Sequence, residues 1–137
     1  MTKEDVLKLL PNGSMGIFST VDGNGFPDAR GWQFQFEEDG KFYFGTANTK
    51  NVYKEMKSNP NVCFTSFDSS WKYTVRIIGK ATFITDASEK KEAFNKFTKS
   101  VQGMYKSSDN PILEIFYISK GTLKLAKGFN PPEEIKF

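Results

Sequence analysis

The run Trp71–Thr85 constrains the fold more than any other segment, because its side chains alternate along a length typical of a long β-strand. One face is mainly apolar and the other mainly polar: Trp71, Tyr73, Val75 and Ile77 against Lys72, Thr74, Arg76 and Ile78. Gly79 interrupts the run, where a bend or bulge is expected. A strand this long leaves an exposed edge unless it is covered. We therefore expect a closed antiparallel sheet, or an edge buried between two copies of the chain.

Five further segments are predicted to be strands, the last of them as a dense apolar run, and turn-forming residues lie between several of them. The predicted strands are 14–21, 28–36, 41–46, 61–67 and 112–119, the last continuing over 122–125. Asp22–Gly25 and Glu38–Gly40 carry the Asp, Asn and Gly residues of hairpin turns. The tail around residues 129–132 contains two prolines and is expected to be a loop.

The apolar period changes to that of a helix in three places. Helices are predicted over 3–10, capped by Thr2, over 50–57, capped by Thr49, and over 86–99. Residues 100–110 are less regular and are expected to hold at most a short further turn. Together these elements predict one domain over 1–137, of the α+β class but mainly β. It has six antiparallel strands and a few peripheral helices.

The chain contains no histidine and a single cysteine, Cys63. This excludes a Ser-His-Asp triad and an internal disulfide, and no metal site is expected. Cys63 lies in an apolar strand and is expected to be a small core residue. No side chain stands out as catalytic, so redox chemistry would need an organic cofactor.

The charge pattern argues against nucleic acid as a partner. Nineteen basic and sixteen acidic side chains leave a net charge of +3, and the lysines are scattered rather than grouped. A small anion would need only two or three of these cations. No signal peptide or membrane span is visible in the sequence, so a cytoplasmic location without membrane contact is expected.

The junction Gly45–Asn51, between a strand and a helix, is the first candidate anion site. A helix N-terminus presents unpaired N–H groups. Thr46, Asn48 and Thr49 add neutral donors there, and Lys50 adds a charge. The same residues also suit an ordinary capped helix with a solvated lysine.

Arg30 is the second candidate, because it shares a strand face with large aromatic side chains. A cation in that setting needs a partner. A phosphate, a carboxylate such as Asp28, or exposure near the strand start would each satisfy it. On the long strand, Arg76 and Lys80 share a face that is expected to be a polar outer surface.

The order of several short motifs resembles that of the split-barrel flavoproteins related to pyridoxamine-phosphate oxidase. The motifs are Pro27–Arg30 at a strand start, Glu38–Thr46 with its Asp-Gly turn, Lys50 at a helix start, Asn59–Val62, and Val75–Ala81. The likeness is greatest to the short bacterial branch of nitroimidazole-resistance-like (NimA/NimC) proteins. It implies a six-stranded antiparallel split β-barrel that forms a homodimer, with two FMN molecules in clefts between the subunits.

The same resemblance implies cofactor-binding roles for eight residues. It assigns the FMN phosphate to Arg30 and Lys50, with Thr46 and Thr49 as hydroxyl donors. The backbone around Trp32 and Gln33 would border the flavin ring, and Trp71 and Arg76 would come from the partner subunit. Gln35 stands where true pyridoxamine-phosphate oxidases carry a lysine, and the C-terminal residues lack their arginine-rich segment. Both departures argue against vitamin B6 oxidation, and the missing histidine argues against nitroimidazole reduction.

Two functions are therefore weighed. In the first, the chain is an FMN-dependent oxidoreductase, of the flavin reductase or nitroreductase type, that takes electrons from NADH or NADPH and passes them to a small electrophile. In the second, it binds or stores a flavin, FMN or the deazaflavin F420, without turnover.

Overall fold

A computed structural model describes all residues, 1–137, as a single sheet with four short helices. The helices are α1 (Lys3–Lys8), α2 (Asn51–Ser58), α3 (Ala87–Asn95) and α4 (Lys99–Tyr105). The strands are β1 (Met15–Val21), β2 (Pro27–Gln33), β3 (Phe36–Glu38), β4 (Lys41–Ala47), β5 (Asn61–Phe67), β6 (Tyr73–Phe83), β7 (Leu113–Lys127) and β8 (Glu133–Lys136). The mainly antiparallel β architecture predicted from the sequence is confirmed.

The sheet has eight strands rather than six, and hydrogen-bonded ladders do not close it. Its order is β2-β1-β5-β6-β7-β4-β3, with β8 added beside β7, and every pairing is antiparallel. The two ends, β2 and β3, are consecutive in the chain and are joined by a bend. Phe34 N–H donates to Ser14 O at 2.9 Å, and Gln35 N–H donates to Tyr43 O at 3.1 Å. The backbone therefore changes its hydrogen-bond partner from Ser14 to Tyr43 at this bend. The two ends of the sheet are joined by the chain itself, whereas in a closed barrel a hydrogen-bonded ladder would join them.

The strand count differs from the expectation for local reasons. The predicted strand 28–36 is divided by the bend into β2 and β3. The predicted pieces 112–119 and 122–125 are one strand, because Lys120 adopts a φ of 53° opposite a register shift between Ile78 and Lys80 of β6. The loop predicted around 129–132 is confirmed, but the residues that follow it, Glu133–Lys136, form a further strand that pairs with β7. Ile135 and Phe137 are half-buried against the core there, but two apolar residues are too short a pattern to predict a strand.

Aromatic rings fill the space enclosed by the sheet. The buried ring of Phe44 lies 5.1–5.7 Å, between centroids, from those of Phe18, Phe34, Phe64 and Phe116. Ring pairs at such separations add to the free energy gained from burial. The phenylalanine-rich composition therefore goes mainly into this core.

A second apolar cluster lies between the sheet and the α3–α4 pair. Phe97 is buried there, and a Cβ atom on Gly45 would come within 2.7 Å of its ring. Glycine at position 45 thus lets the α3–α4 connection pack directly on β4. The predicted helix 86–99 ends at Asn95, and the irregular segment that follows contains α4.

The helix caps match the prediction for α1 but not for α2. Thr2 forms the expected cap, in a reciprocal arrangement with the side chain of Asp5. In α2 the N-cap residue is Lys50 rather than Thr49, and its side chain makes no capping hydrogen bond. The first N–H groups of α2 therefore have no side-chain cap. No helix in the structure has the length and apolar character to cross a membrane.

Candidate functional site

A groove of about 380 Å³ runs between the edge strand β2 and helix α4. Three of the predicted cofactor-binding residues line it: Trp32, Gln33 and Lys50. The other lining residues are Met15, Gly31, Gln35, Gly45, Ser100, Val101, Met104 and Tyr105. The sequence prediction missed the α4 side of this groove, since residues 100–110 show no clear periodicity.

A network of amide and hydroxyl groups holds the two walls of the groove together. Thr98, the N-cap of α4, donates from its backbone N–H to Gln35 Oε1 at 2.9 Å and from its hydroxyl to Gln33 Oε1 at 3.1 Å. Gln35 is buried and donates through Nε2 to Gln33 Oε1 at 3.3 Å. Gln35 thus positions α4 against the bend between β2 and β3.

One edge of β2 presents unpaired backbone groups to the groove. Asp22 N–H donates to Phe26 O, and Phe34 N–H donates to Ser14 O. Because hydrogen-bonded pairs alternate along an antiparallel ladder, the even-numbered residues of β2 are the ones that hydrogen-bond to β1. The N–H and C=O groups of Gly31 therefore point to the free edge of the sheet. No atom lies within 4 Å of where a Cβ on Gly31 would be. A flat ligand can approach this backbone closely.

Lys50 supplies a positive charge at one end of the groove. Its Nζ lies 5.2 Å from the centroid of the Trp32 ring, and no carboxylate forms an ion pair with it. The uncapped N–H groups at the start of α2 follow it directly in the chain. Together the ammonium group and the helix N-terminus create a positive potential suited to an anion.

Arg30 lies on the opposite face of β2 from Gly31, and carboxylates already satisfy it. Its Nη2 lies 3.0 Å from Asp28 Oδ2 and 3.2 Å from Glu55 Oε1, and its Nη1 donates to Thr20 Oγ1 at 2.8 Å. The Asp28 side chain is 51% exposed whereas that of Glu55 is 14% exposed. Of the alternatives left open by the sequence, the structure shows the carboxylate partner. Since exposed ion pairs are weak, the Asp28 contact is the one an incoming anion could replace.

The two threonines of the junction have different environments. Thr46 is buried on β4, and its Oγ1 has no hydrogen-bond partner. An orphaned buried hydroxyl is uncommon and costs free energy. Thr49 is exposed, and it neither caps α2 nor lines the groove.

The remaining predicted residues, Trp71 and Arg76, do not line the groove. Trp71 has a φ of 61° in the turn before β6, and its ring is stacked on Phe67 with 5.2 Å between centroids. The Trp71 and Phe67 side chains are exposed, as are those of Met15 and Ile17 on the same outer face of the sheet. Met15 also lines the groove, so the apolar face adjoins the groove at this residue.

Two other sequence expectations are modified by the structure. Cys63 is half-buried on the outer face of β5, with its Sγ 3.7 Å from Thr65 Oγ1, rather than in the core. It alternates with buried Val62 and Phe64, which explains why the apolar run was misleading. Residues 100–110 were expected to hold at most a short turn, yet they form α4 and bring Tyr105 to the groove, where burial raises the pKa of its phenol. No group of three or more His, Cys, Asp or Glu side chains is arranged to hold a metal ion.

Comparisons with known proteins agree with this architecture. The family model described as Pyridoxamine 5'-phosphate oxidase matches residues 2–119. A NimC/NimA family protein from Clostridium acetobutylicum is 25% identical with a TM-score of 0.81, over 98% of this chain and 92% of that one. General stress protein 26 from Bacillus anthracis is 21% identical with a TM-score of 0.78, over 98% of both chains. A structure named F420 reductase is 16% identical with a TM-score of 0.62, over 82% of this chain and 90% of that one. A search of curated protein sequences gives no match.

Proposed function

The chain belongs to the pyridoxamine 5'-phosphate oxidase family, and from that membership we propose that it binds FMN in the groove between β2 and α4 and acts as an FMN-dependent oxidoreductase on a small molecule. The observation that carries the proposal is the combination of an unpaired cation and an open strand edge in one groove. A phosphate and a flat heteroaromatic ring with a donor and acceptor edge need these two features.

The residues present fit FMN. Lys50 and the start of α2 would hold the phosphate, because this cation has no protein carboxylate to neutralise it. Arg30 would add a second charge by exchanging its exposed partner Asp28 for phosphate oxygen. The hydroxyl of Thr46 lies outside the groove lining and is buried without a partner, so a phosphate that reached it would offset its desolvation cost.

The ring of the cofactor would lie along the free edge of β2. The backbone of Gly31 offers one donor and one acceptor there, and Trp32 and Gln33 flank it in the groove. The α4 side contributes Met104 and Tyr105, which would cover the ring and exclude water. When bound, FMN supplies hydride acceptance from NADH or NADPH and electron transfer to a small electrophile, such as a nitroaromatic compound or a quinone. The protein contributes by binding and orienting.

We also propose that the functional unit is a homodimer. Met15 is 66% exposed and borders the groove. It belongs to an exposed apolar face that also carries Ile17, Phe67 and Trp71. A second copy packed there would cover this face and bring its own Trp71 and Arg76 towards the groove. Exposed contiguous apolar surface is typical of such interfaces. Size-exclusion chromatography with light scattering tests this, and a monomer with bound FMN would contradict it.

The direct test of the cofactor is an absorbance spectrum of protein incubated with FMN and then desalted, with F420 in a parallel sample. We expect flavin absorbance at about one FMN per chain, and no retained F420 because Lys50 and Arg30 match a terminal phosphate. A colourless protein would contradict the FMN proposal.

Non-catalytic flavin binding is the second candidate. The observation that favours it is that no histidine, cysteine or carboxylate side chain lines the groove, where Lys50 and Tyr105 are the ionisable residues. Adding NADH or NADPH to the FMN-loaded protein separates the two. Bleaching followed by reoxidation with a nitro compound or quinone supports the oxidoreductase, whereas FMN inert to both supports storage.

A further inference from the structure

A second and larger pocket lies on the outer side of the sheet, where β4, β5, β6, β7 and β8 meet. It has a volume of about 880 Å³ and shares no lining residue with the groove. Its lining residues are Lys41, Asn61, Val62, Ile78, Gly79, Lys80, Thr82, Tyr117, Ser119, Lys120, Gly121, Thr122 and Lys136. Its size is in the range of known small-molecule sites.

The hollow arises from an irregularity shared by β6 and β7. The register shifts between Ile78 and Lys80, and Lys120 opposite them has a φ of 53°. A Cβ on Gly121 would come within 2.1 Å of Ile78 O, so only glycine allows the two strands to approach there. A bulge bends a sheet locally and redirects the side chains beside it. This one turns Lys80 and Lys120 towards a common space.

Four lysines surround the pocket, and no acidic residue lines it. None of Lys41, Lys80, Lys120 and Lys136 forms an ion pair. The acidic residues on nearby strands have other partners: Glu134 pairs with Lys124 and Glu38 pairs with Lys96. The pocket is therefore strongly positive, although the whole chain carries only +3.

The walls also provide neutral donors and a hydrophobic part. Thr82, Ser119 and Thr122 contribute hydroxyls, and Lys136 Nζ is held at the rim by donating to Thr122 Oγ1 at 2.6 Å. Lys41 Nζ lies 4.7 Å from the centroid of the Tyr117 ring. Hydroxyls and ammonium groups hydrogen-bond phosphate oxygens, and the apolar surface of Ile78 and Tyr117 suits an uncharged ring.

We propose that this pocket is a second ligand site, distinct from the groove between β2 and α4, and that it binds a phosphorylated small molecule of about nucleotide size. A single nucleotide fits the observations better than a nucleic acid strand. The cations surround one concavity rather than form a stripe along the surface, which is what a continuous phosphate backbone would require.

Isothermal titration calorimetry of the full chain with ADP, and with adenosine as the uncharged probe, tests this. We expect saturable binding of one ADP per chain and no detectable adenosine binding under the same conditions. The variant Lys80→Gln/Lys120→Gln should weaken ADP binding at least tenfold. The matched control Lys72→Gln/Lys91→Gln removes the same charge from exposed lysines outside the pocket and should change it less than twofold.

Each of the following results would overturn the assignment. The first is the absence of saturable ADP binding to the unaltered chain. The second is an equal loss in both double variants, which would indicate attraction to net charge alone. The third is displacement of ADP by a single-stranded oligothymidylate at lower concentration, which would indicate a nucleic acid surface. Lys50→Ala should leave ADP binding intact, and loss of binding in that variant would assign ADP to the groove instead.

Discussion

Arg30 of β2 and Glu55 of α2 form an ion pair, with Nη2 and Oε1 3.2 Å apart, and the hydroxyl of Thr20 bonds to both side chains. This contact ties α2, which carries Lys50 at its N-terminus, to the edge strand of the groove. Arg30 thus has a structural partner in addition to the phosphate that we propose for it.

The first prediction concerns this pair. Arg30→Ala should lower the free energy of unfolding by about 2 kcal/mol, because it leaves the largely buried Glu55 without its counter-charge. Urea unfolding at neutral pH measures this. Adding Glu55→Gln to Arg30→Ala should restore part of the loss, and Asp28→Ala, which removes the exposed partner, should cost less than about 0.5 kcal/mol. An equal loss for Asp28→Ala would show that burial does not govern the pair.

The second prediction concerns the phosphate. Lys50→Ala should weaken FMN binding by about 1–3 kcal/mol, roughly 5- to 150-fold in Kd, since it removes a charge-assisted contact. Quenching of flavin fluorescence during titration gives the Kd. Lys54→Ala, one turn further along α2 and exposed, is the matched control and should leave Kd within a factor of about two. Equal effects of both variants would exclude Lys50 as a specific ligand.

The third prediction concerns the open edge of β2. Gly31→Val should abolish or strongly weaken FMN binding while leaving the melting temperature near that of the parent, because a Cβ there meets no protein atom within 4 Å. Ala29→Val places the same side chain on the same face of β2, outside the groove, and should bind FMN normally. Normal FMN affinity in Gly31→Val would show that the flavin ring does not lie along this edge.

The fourth prediction separates the two buried threonines of the region. Thr46→Val should leave stability unchanged or raise it slightly in the absence of FMN, because the hydroxyl it removes has no partner. It should lower FMN affinity, about fivefold for a lost bond of about 1 kcal/mol. Thr20→Val should instead lower stability, since Thr20 bonds to both Arg30 and Glu55. Thermal melts with and without FMN distinguish these outcomes, and unchanged FMN affinity in Thr46→Val would mean that FMN leaves this hydroxyl unpaired.

The fifth prediction is a pH dependence of stability. Thr2 N–H donates to Asp5 Oδ2 at 2.8 Å, and this bond holds the pKa of Asp5 below its usual value of 3.8. The folded state thus favours the ionised carboxylate, so the contribution of Asp5 is fully present above the unfolded pKa and is lost as pH falls through the folded one. Asp5→Asn should be less stable than the parent at pH 7, and the difference should shrink as pH falls below 3.8, the usual pKa of this carboxyl. A difference independent of pH would exclude ionisation as its cause.

Much of the fold was predictable because alternation and turn chemistry are local. The strand boundaries of β1, β4 and β5 and the cap at Thr2 agree with the sequence pattern. The division of β2 from β3 was not predictable, since the bend at Phe34 depends on a change of partner from Ser14 to Tyr43. The β8 pairing depends likewise on a distant strand, β7.

The candidate site was predictable only on one side. Trp32, Gln33 and Lys50 were identified from their motifs and do line one groove. The α4 wall was missed because Met104 and Tyr105 reach the groove through the packing of Phe97 against Gly45, a contact between distant parts of the chain. The carboxylate partner Glu55 was missed for the same reason, because it lies 25 residues beyond Arg30 in sequence.

The position of β7 in the sheet has a consequence for biosynthesis. This strand pairs with β4, β6 and β8, yet it leaves the ribosome after both β4 and β6. Until about residue 127 has emerged, β4 and β6 each present an unpaired edge, and the phenylalanines beneath them stay solvent-accessible. Nascent chains paused before β7 should therefore bind chaperones that recognise exposed hydrophobic segments. Their release should coincide with the pairing of β7 with the sheet.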